Sequence, residues 1–406
     1  MLDIKSFIAE RVNLMESSEI REILELTEGK NVISLAGGLP DPKYFPVEEL
    51  AQISSDVIRE YGWKALQYSV TRGVREFRNE LVRFMERAGI PGERPYNIIV
   101  TSGSQQALSL LSQILINPND IVIVEKPTYL AAINVFKSVG AKFEGVGIDE
   151  HGMKIEELEE KLKEFRREGK KPKVVYTIPT AQNPSGVSMS NERREWLLEL
   201  AEEYDFLIIE DDPYSHFMFE DHIRFERLRA KDKYRVIYTS TMSKILAPGL
   251  RLGWVAAHPD IIDALETAKQ NADLHTSTFN QLIAAEALKR GVVDSHIPKV
   301  KEAYRAKRDA MLESLEEYMD GVAKWTKPVG GLFVFVYLDE NLDTKEMLPM
   351  ALSEGVAYVP GSAFYIDGSG RNTMRLNFSY PSIEEIREAI KRLSKVVREY
   401  TAKVSG

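Results

Sequence analysis

Five short apolar runs separated by helical periodicity constrain this chain more than any other feature: NIIVT (97–101), IVIVE (121–125), KVVYTI (173–178), FLIIE (206–210) and VIYTS (236–240). Each is apolar throughout, where a half-exposed strand would alternate, so both faces of each strand must be covered. Helical patterns over roughly 47–61, 72–88, 104–117, 128–139, 153–168 and 190–204 supply the cover. The alternation predicts an α/β chain built on a mostly parallel sheet.

The flanks read differently. The first thirty or so residues predict two short amphipathic helices, with Ile4, Phe7 and Ile8 on one face and then Ile20, Ile23 and Leu24. NVISLAGGLPDPKYFP follows as a short strand entering a Gly/Pro-rich loop. The last part opens with a charged helix near 293–318, read as a solvated face. It continues with strands around WTKP, LFVFVYL and MRLNFSY and closes on a helix near 382–400. We therefore expect an N-terminal arm, lid and small-domain segment over 1–46, a large domain over 47–292 and an α+β small domain over 293–406.

Composition narrows the function. A formal net charge of -9 without a basic block gives no footprint for nucleic acid or anionic lipid. No apolar run approaches the ~20 residues of a membrane span. The first residues, with Asp3 and Glu10, do not read as a signal peptide. Cysteine is absent, which rules out disulfides and thiolate metal sites and suits a reducing, cytoplasmic setting. The six histidines show no metal-ligand spacing, and no G-x-G-x-x-G opens a strand–helix unit.

In an open α/β sheet, ligands bind beyond the carboxyl ends of the strands. Four polar motifs fall there: TSGSQQ, PTAQNPSG, EDDPY and STMSK. Gly103, Ser104 and Gln105 lie at a helix start, where free N–H groups favour an anion, although the same residues equally suit a plain capped helix. Arg251 adds a fork for phosphate, with Thr241 and Ser243 beside it. Lys244 follows a buried strand, and the Pro-Gly-Leu-Arg turn after it returns Arg251 towards the same rim; a desolvated lysine beside cations forms imines. An acid at the end of FLIIE needs a cation or a strong donor, and Asp211 and Asp212 both stand there.

The ordered set PTY (127–129), QNPSG (182–186), EDDPY (210–214), SKILAPGLRLGW (243–254) and MRLNFS (374–379) resembles the class I/II aminotransferases of fold type I over nearly the whole chain. The resemblance implies a seven-stranded, mostly parallel sheet in the large domain and pyridoxal 5′-phosphate carried by Lys244 as a Schiff base. It further implies that Asp211 (with Asp212 the neighbouring alternative) pairs with the pyridine nitrogen. Asn183 and Tyr214 would meet the phenolic oxygen, and Tyr129 would stack on the ring. Arg375 would bind the substrate's α-carboxylate, with Gly38 and Asn183 assisting. Tyr68 would reach the neighbouring subunit's phosphate, which implies a homodimer; Val70 departs mildly from the usual pattern there. SSEIREILEL and ISLAGGLPDPKYFP resemble the branch of 2-aminoadipate, kynurenine and broad aromatic aminotransferases. In that branch Arg21 would meet a distal carboxylate, against the plainer reading of an ion pair along the helix face. The expected reaction passes the amino group of such an amino acid to a 2-oxo acid, 2-oxoglutarate foremost. A β-lyase with the same cofactor site and a ligand-sensing regulator are the rival readings.

Overall fold

The computed structural model describes residues 3–15, 17–27 and 31–405. The five apolar runs become largely buried strands of one eight-stranded sheet, four of them adjacent. Its order is Ile98–Thr101, Gly253–Ala256, Val236–Thr241, Leu207–Asp211, Pro172–Thr177, Ile121–Lys126, Lys142–Asp149 and Gly152–Met153. The strands from Val236–Thr241 to Lys142–Asp149 pair in parallel, as apolar strands covered on both sides must. Gly253–Ala256 runs antiparallel between two neighbours, and the eighth strand is a two-residue hairpin return.

A second, antiparallel sheet joins Lys324–Trp325, Phe333–Tyr337, Thr373–Asn377 and Val359–Pro360. Ile33–Ser34 pairs in parallel with Val356–Ala357, which ties the entry of the chain to its C-terminal part. Residues 259–289, for which the sequence reading proposes no element, form the helices Pro259–Ala272 and Thr278–Lys289. Among the described residues no helix is long and apolar enough to cross a membrane.

Two expectations fail here, one of them in part. The first N-terminal helix is instead a pair of 3₁₀ turns, Ile4–Phe7 and Glu10–Leu14, with Ile4 and Phe7 64% and 72% exposed. A segment this short gains too little from propensity to hold an α-helix without an apolar face to dock on. The second does form, as Glu19–Thr27, with Ile23 buried. The charged helix Val292–Met319 is a solvated face on one side only. It buries Val293, Val300, Tyr304 and Met311, and with them Lys307 and Arg308, because each cation finds an acid: Asp41 at 2.7 Å and Glu220 at 3.1 Å.

Candidate active site

A cavity of about 750 Å³ opens at the carboxyl ends of the parallel strands. It brings together thirteen of the fifteen expected site residues: Arg21, Gly38, Ser104, Gln105, Tyr129, Asn183, Asp211, Tyr214, Thr241, Ser243, Lys244, Arg251 and Arg375. Gly103 is buried behind Arg251 at the first position of the helix Gly103–Leu115. Tyr68 stands apart, 80% exposed, with its ring edge-on to His275 at 5.9 Å.

One end of the cavity suits an anion. Gly103 has φ +79, and a Cβ there would come within 2.9 Å of Arg251 Cζ and closer still to Nη2. The glycine thus lets the guanidinium lie against the helix start, where unpaired N–H groups and the dipole add positive potential. Arg251 itself has φ 51 after the Pro248–Leu250 turn, which folds it back to this rim. Ser243 N–H donates to Thr241 Oγ1 at 3.0 Å, so both hydroxyl residues are fixed beside it.

Deeper in, Lys244 Nζ donates to Gly38 O at 2.7 Å. Burial, followed by the nearby Arg375 and Arg251, pulls its amine down to about 8. Asp211 is 3% exposed at the end of its strand. Its Oδ2 accepts from Tyr176 OH at 2.7 Å, while Oδ1 is buried without a partner. Burial pushes the carboxyl up to about 7, against the Tyr176 hydrogen bond and aided by Asp212. Asp212 does not line the cavity. Its Oδ2 accepts from Ser215 Oγ at 2.8 Å and Tyr238 OH at 2.9 Å. Burial opposes its charge, but Arg227 and His216 hold the carboxyl low. Both neighbouring acids have an unpartnered, buried Oδ1, but of the two only Asp211 lines the cavity, and a cationic N–H donor is the chemistry it lacks.

Arg375 is fully buried on the Thr373–Asn377 strand. It donates to Asn183 Oδ1 at 2.8 Å and Ala36 O at 2.7 Å, and it lies 4.2 Å over the Phe333 ring. Its Nε has no partner. Asn183 Nδ2 stands 3.5 Å from Tyr214 OH, so these two polar tips meet at one wall. Arg21 is exposed at the mouth, on Glu19–Thr27. It makes no ion pair with Glu22 or Glu25 among the described residues, and Glu22 accepts instead from Ser17 Oγ.

Three contributors escape the sequence reading. Tyr176 and Phe333 lie inside apolar strand runs, where only the register reveals that they face Asp211 and Arg375. Asn134 lines the cavity from the helix Leu130–Ser138 with Oδ1 unpartnered; nothing in its local sequence signals this.

Comparison with known proteins adds independent findings. A family profile described as aminotransferase class I and II matches residues 30–393. An aromatic-amino-acid aminotransferase of Thermococcus litoralis is 50% identical over 400 residues, 98% of this chain and 95% of that protein. The crystal structure of a multiple substrate aminotransferase from Thermococcus profundus superposes with a TM-score of 0.95 at 49% identity, covering 99% of this chain and 100% of the other. An α-aminoadipate aminotransferase from Thermus thermophilus, complexed with N-(5′-phosphopyridoxyl)-L-leucine, gives a TM-score of 0.92 at 35% identity, again covering 99% and 100%.

Proposed function

The chain belongs to the class I and II aminotransferases and uses pyridoxal 5′-phosphate, and we propose that it moves the amino group of aromatic, kynurenine, 2-aminoadipate or glutamate-type donors to a 2-oxo acid such as 2-oxoglutarate. The observation that carries this reading is one juxtaposition: Lys244, Arg375 and Asp211, the last with its Oδ1 unpartnered, line the same cavity. When bound, the cofactor supplies an aldehyde that holds the amino group and a protonated ring that accepts the electrons released at the substrate's Cα.

The protein's own groups divide that task. Lys244 Nζ is the amine that would bond the aldehyde and, once freed, would move the proton from the substrate's Cα to the carbon that had been the aldehyde's; an amine drawn down to about 8 suits a base at neutral pH. Asp211 Oδ1 would accept the ring N–H and keep it protonated. Gly103, Ser104, Gln105, Thr241, Ser243 and Arg251 would hold the phosphate. Tyr129 would stack on the ring, and Asn183 and Tyr214 would bond the phenolic oxygen. The Arg375 fork, with Asn183 and Gly38, would fix the α-carboxylate and so aim the Cα hydrogen at Lys244.

Tyr68, exposed and outside this cavity, belongs in the proposal to the partner subunit's site, in a homodimer with composite centres. The domain limits at 46/47 and 292/293 belong to the same proposal. Breadth towards donors is supported by Arg21, an exposed cation at the mouth that makes no ion pair along its own helix face among the described residues, and by the names of the matched relatives. The test is a panel of amino donors, covering 2-aminoadipate, kynurenine, aromatic and branched-chain amino acids, with 2-oxoglutarate as acceptor. Glutamate formation is expected. Ammonia and pyruvate release in its place, or no turnover with any donor, overturns the proposal.

A further inference from the structure

We propose that Tyr176 is a positioning residue that fixes Asp211 by one oxygen so that the other stays turned towards the cavity and ionised for the cofactor's ring N–H. The proposal rests on the Asp211 assignment above and deepens it. Tyr176 lies on the Pro172–Thr177 strand beside Leu207–Asp211, in parallel register with Ile209. Its side chain is fully buried, and its ring meets Phe136 edge-on at 6.1 Å. From there its hydroxyl donates to Asp211 Oδ2 at 2.7 Å.

That hydroxyl is a donor at every working pH. Burial first, and then the charge of Asp211, keep the phenol far above its ordinary range, so it never releases its proton to the carboxylate. The other titratable groups facing Asp211 are Asp212 beside it, Tyr129 at the start of the Leu130–Ser138 helix, and Tyr214. None of these gives it a hydrogen bond. Tyr176 is therefore the sole side-chain donor found on Asp211 among the described residues. Without it, a carboxyl already pushed up by burial climbs further, by about one unit for one hydrogen bond to a charged group.

The test is the pH dependence of cofactor affinity in the full-length chain, wild type against Tyr176→Phe. Only the ionised carboxylate pairs with the ring N–H. The titrations of the phosphate, of the ring and of Lys244 are common to both proteins and cancel in the ratio of their dissociation constants. With Asp211 near 7 in the wild type, the variant binds pyridoxal 5′-phosphate about tenfold more weakly at pH 6, and the two converge by pH 9. Phenylalanine preserves the contact with Phe136, so a purely packing role predicts a ratio that does not change with pH; that flat ratio overturns the proposal. In an Asp211→Asn background the Tyr176→Phe effect loses its pH dependence if the tyrosine acts through Asp211. If Asp211→Asn alone keeps wild-type affinity, the underlying assignment of Asp211 falls instead.

Discussion

Substituting Gly103→Ala separates the stability of the fold from the hold on the cofactor. At φ +79 an alanine sits in the left-handed region, which costs about 1–2 kcal/mol of folding stability. The new methyl collides with Arg251, the far end of a flexible side chain, and with no backbone atom. The fold therefore yields by moving the guanidinium aside. With the phosphate placed as proposed, the cofactor site does not tolerate that movement. Loss of both hydrogen bonds of the fork, each at the low end of about 1.5 kcal/mol because Arg251 is exposed, amounts to about 3 kcal/mol, or roughly a hundredfold in Kd. Titrating the variant with pyridoxal 5′-phosphate and, in parallel, with pyridoxal, which lacks the phosphate, reads the effect. We expect the hundredfold loss for the first ligand and a change within about twofold for the second, while chemical denaturation reports only the small stability cost. Equal losses for the two ligands would refute the placement of the phosphate beside Gly103 and Arg251.

Other consequences follow from the charges. The rate at which cofactor attaches to Lys244 is expected to rise with pH through a midpoint near 8, and near pH 7.5 to exceed that of an ordinary lysine by roughly two hundredfold; a midpoint near 10.5 in stopped-flow absorbance would contradict the desolvated amine. Arg21→Ala is expected to lower kcat/KM for 2-aminoadipate about tenfold and to leave phenylalanine nearly unchanged, since only the former presents a distal carboxylate; equal losses would make Arg21 a structural residue. Buried Glu125 is pushed up to about 7, with desolvation outweighing its bonds from Thr177, Gln182 and Ile178. Its folded pKa exceeds its unfolded one, so its stabilising effect is present below about pH 4.5 and is lost as pH rises to 7. Glu125→Gln should therefore gain about 3 kcal/mol relative to wild type between those limits, as read by chemical denaturation at each pH.

Much of this was legible in one dimension because burial on both faces leaves a plain mark: runs such as VIYTS and FLIIE contain no polar alternation, and each became a central strand. The loops after them carried the polar residues, so the site followed from where the strands end. Legibility failed where a residue's meaning depends on its neighbour across the sheet. Asp211 and Asp212 are equivalent in the sequence, and the alternation of a strand turns one to the cavity and the other to Tyr238 and Ser215. Tyr176 reads as one more apolar strand residue until the register with Leu207–Asp211 shows what its hydroxyl meets. Ile4 and Phe7 have helical spacing and no helix, since periodicity states which face would be buried and not whether anything covers it.

The cavity is built from groups kept one bond short. Asn134 Oδ1, Asp211 Oδ1 and Arg375 Nε are buried without partners, and each belongs to a side chain lining the same space. An unmet buried polar atom costs about 1–3 kcal/mol, so the fold carries that burden until a ligand supplies the missing partner. Being unmet is not sufficient to mark a site, because Trp254 Nε1 and Trp325 Nε1 are also orphaned and line no part of this cavity. What sets the pair Asp211 and Arg375 apart is that they are opposite charges facing one cavity without forming an ion pair. Had they met, each would have satisfied the other and neither would have needed a ligand. Instead Tyr176 holds the acid by one oxygen, and Asn183 with Ala36 holds the guanidinium by two nitrogens. In the proposed function the chain thus keeps a negative charge for a cationic ring and a positive charge for a carboxylate, with Lys244 on the same cavity and its amine lowered by burial first and then by Arg375 and Arg251. A bound amino acid joined to its cofactor would carry both missing charges, and on the proposed reading the separation of Asp211 from Arg375 is what would let a single ligand answer both.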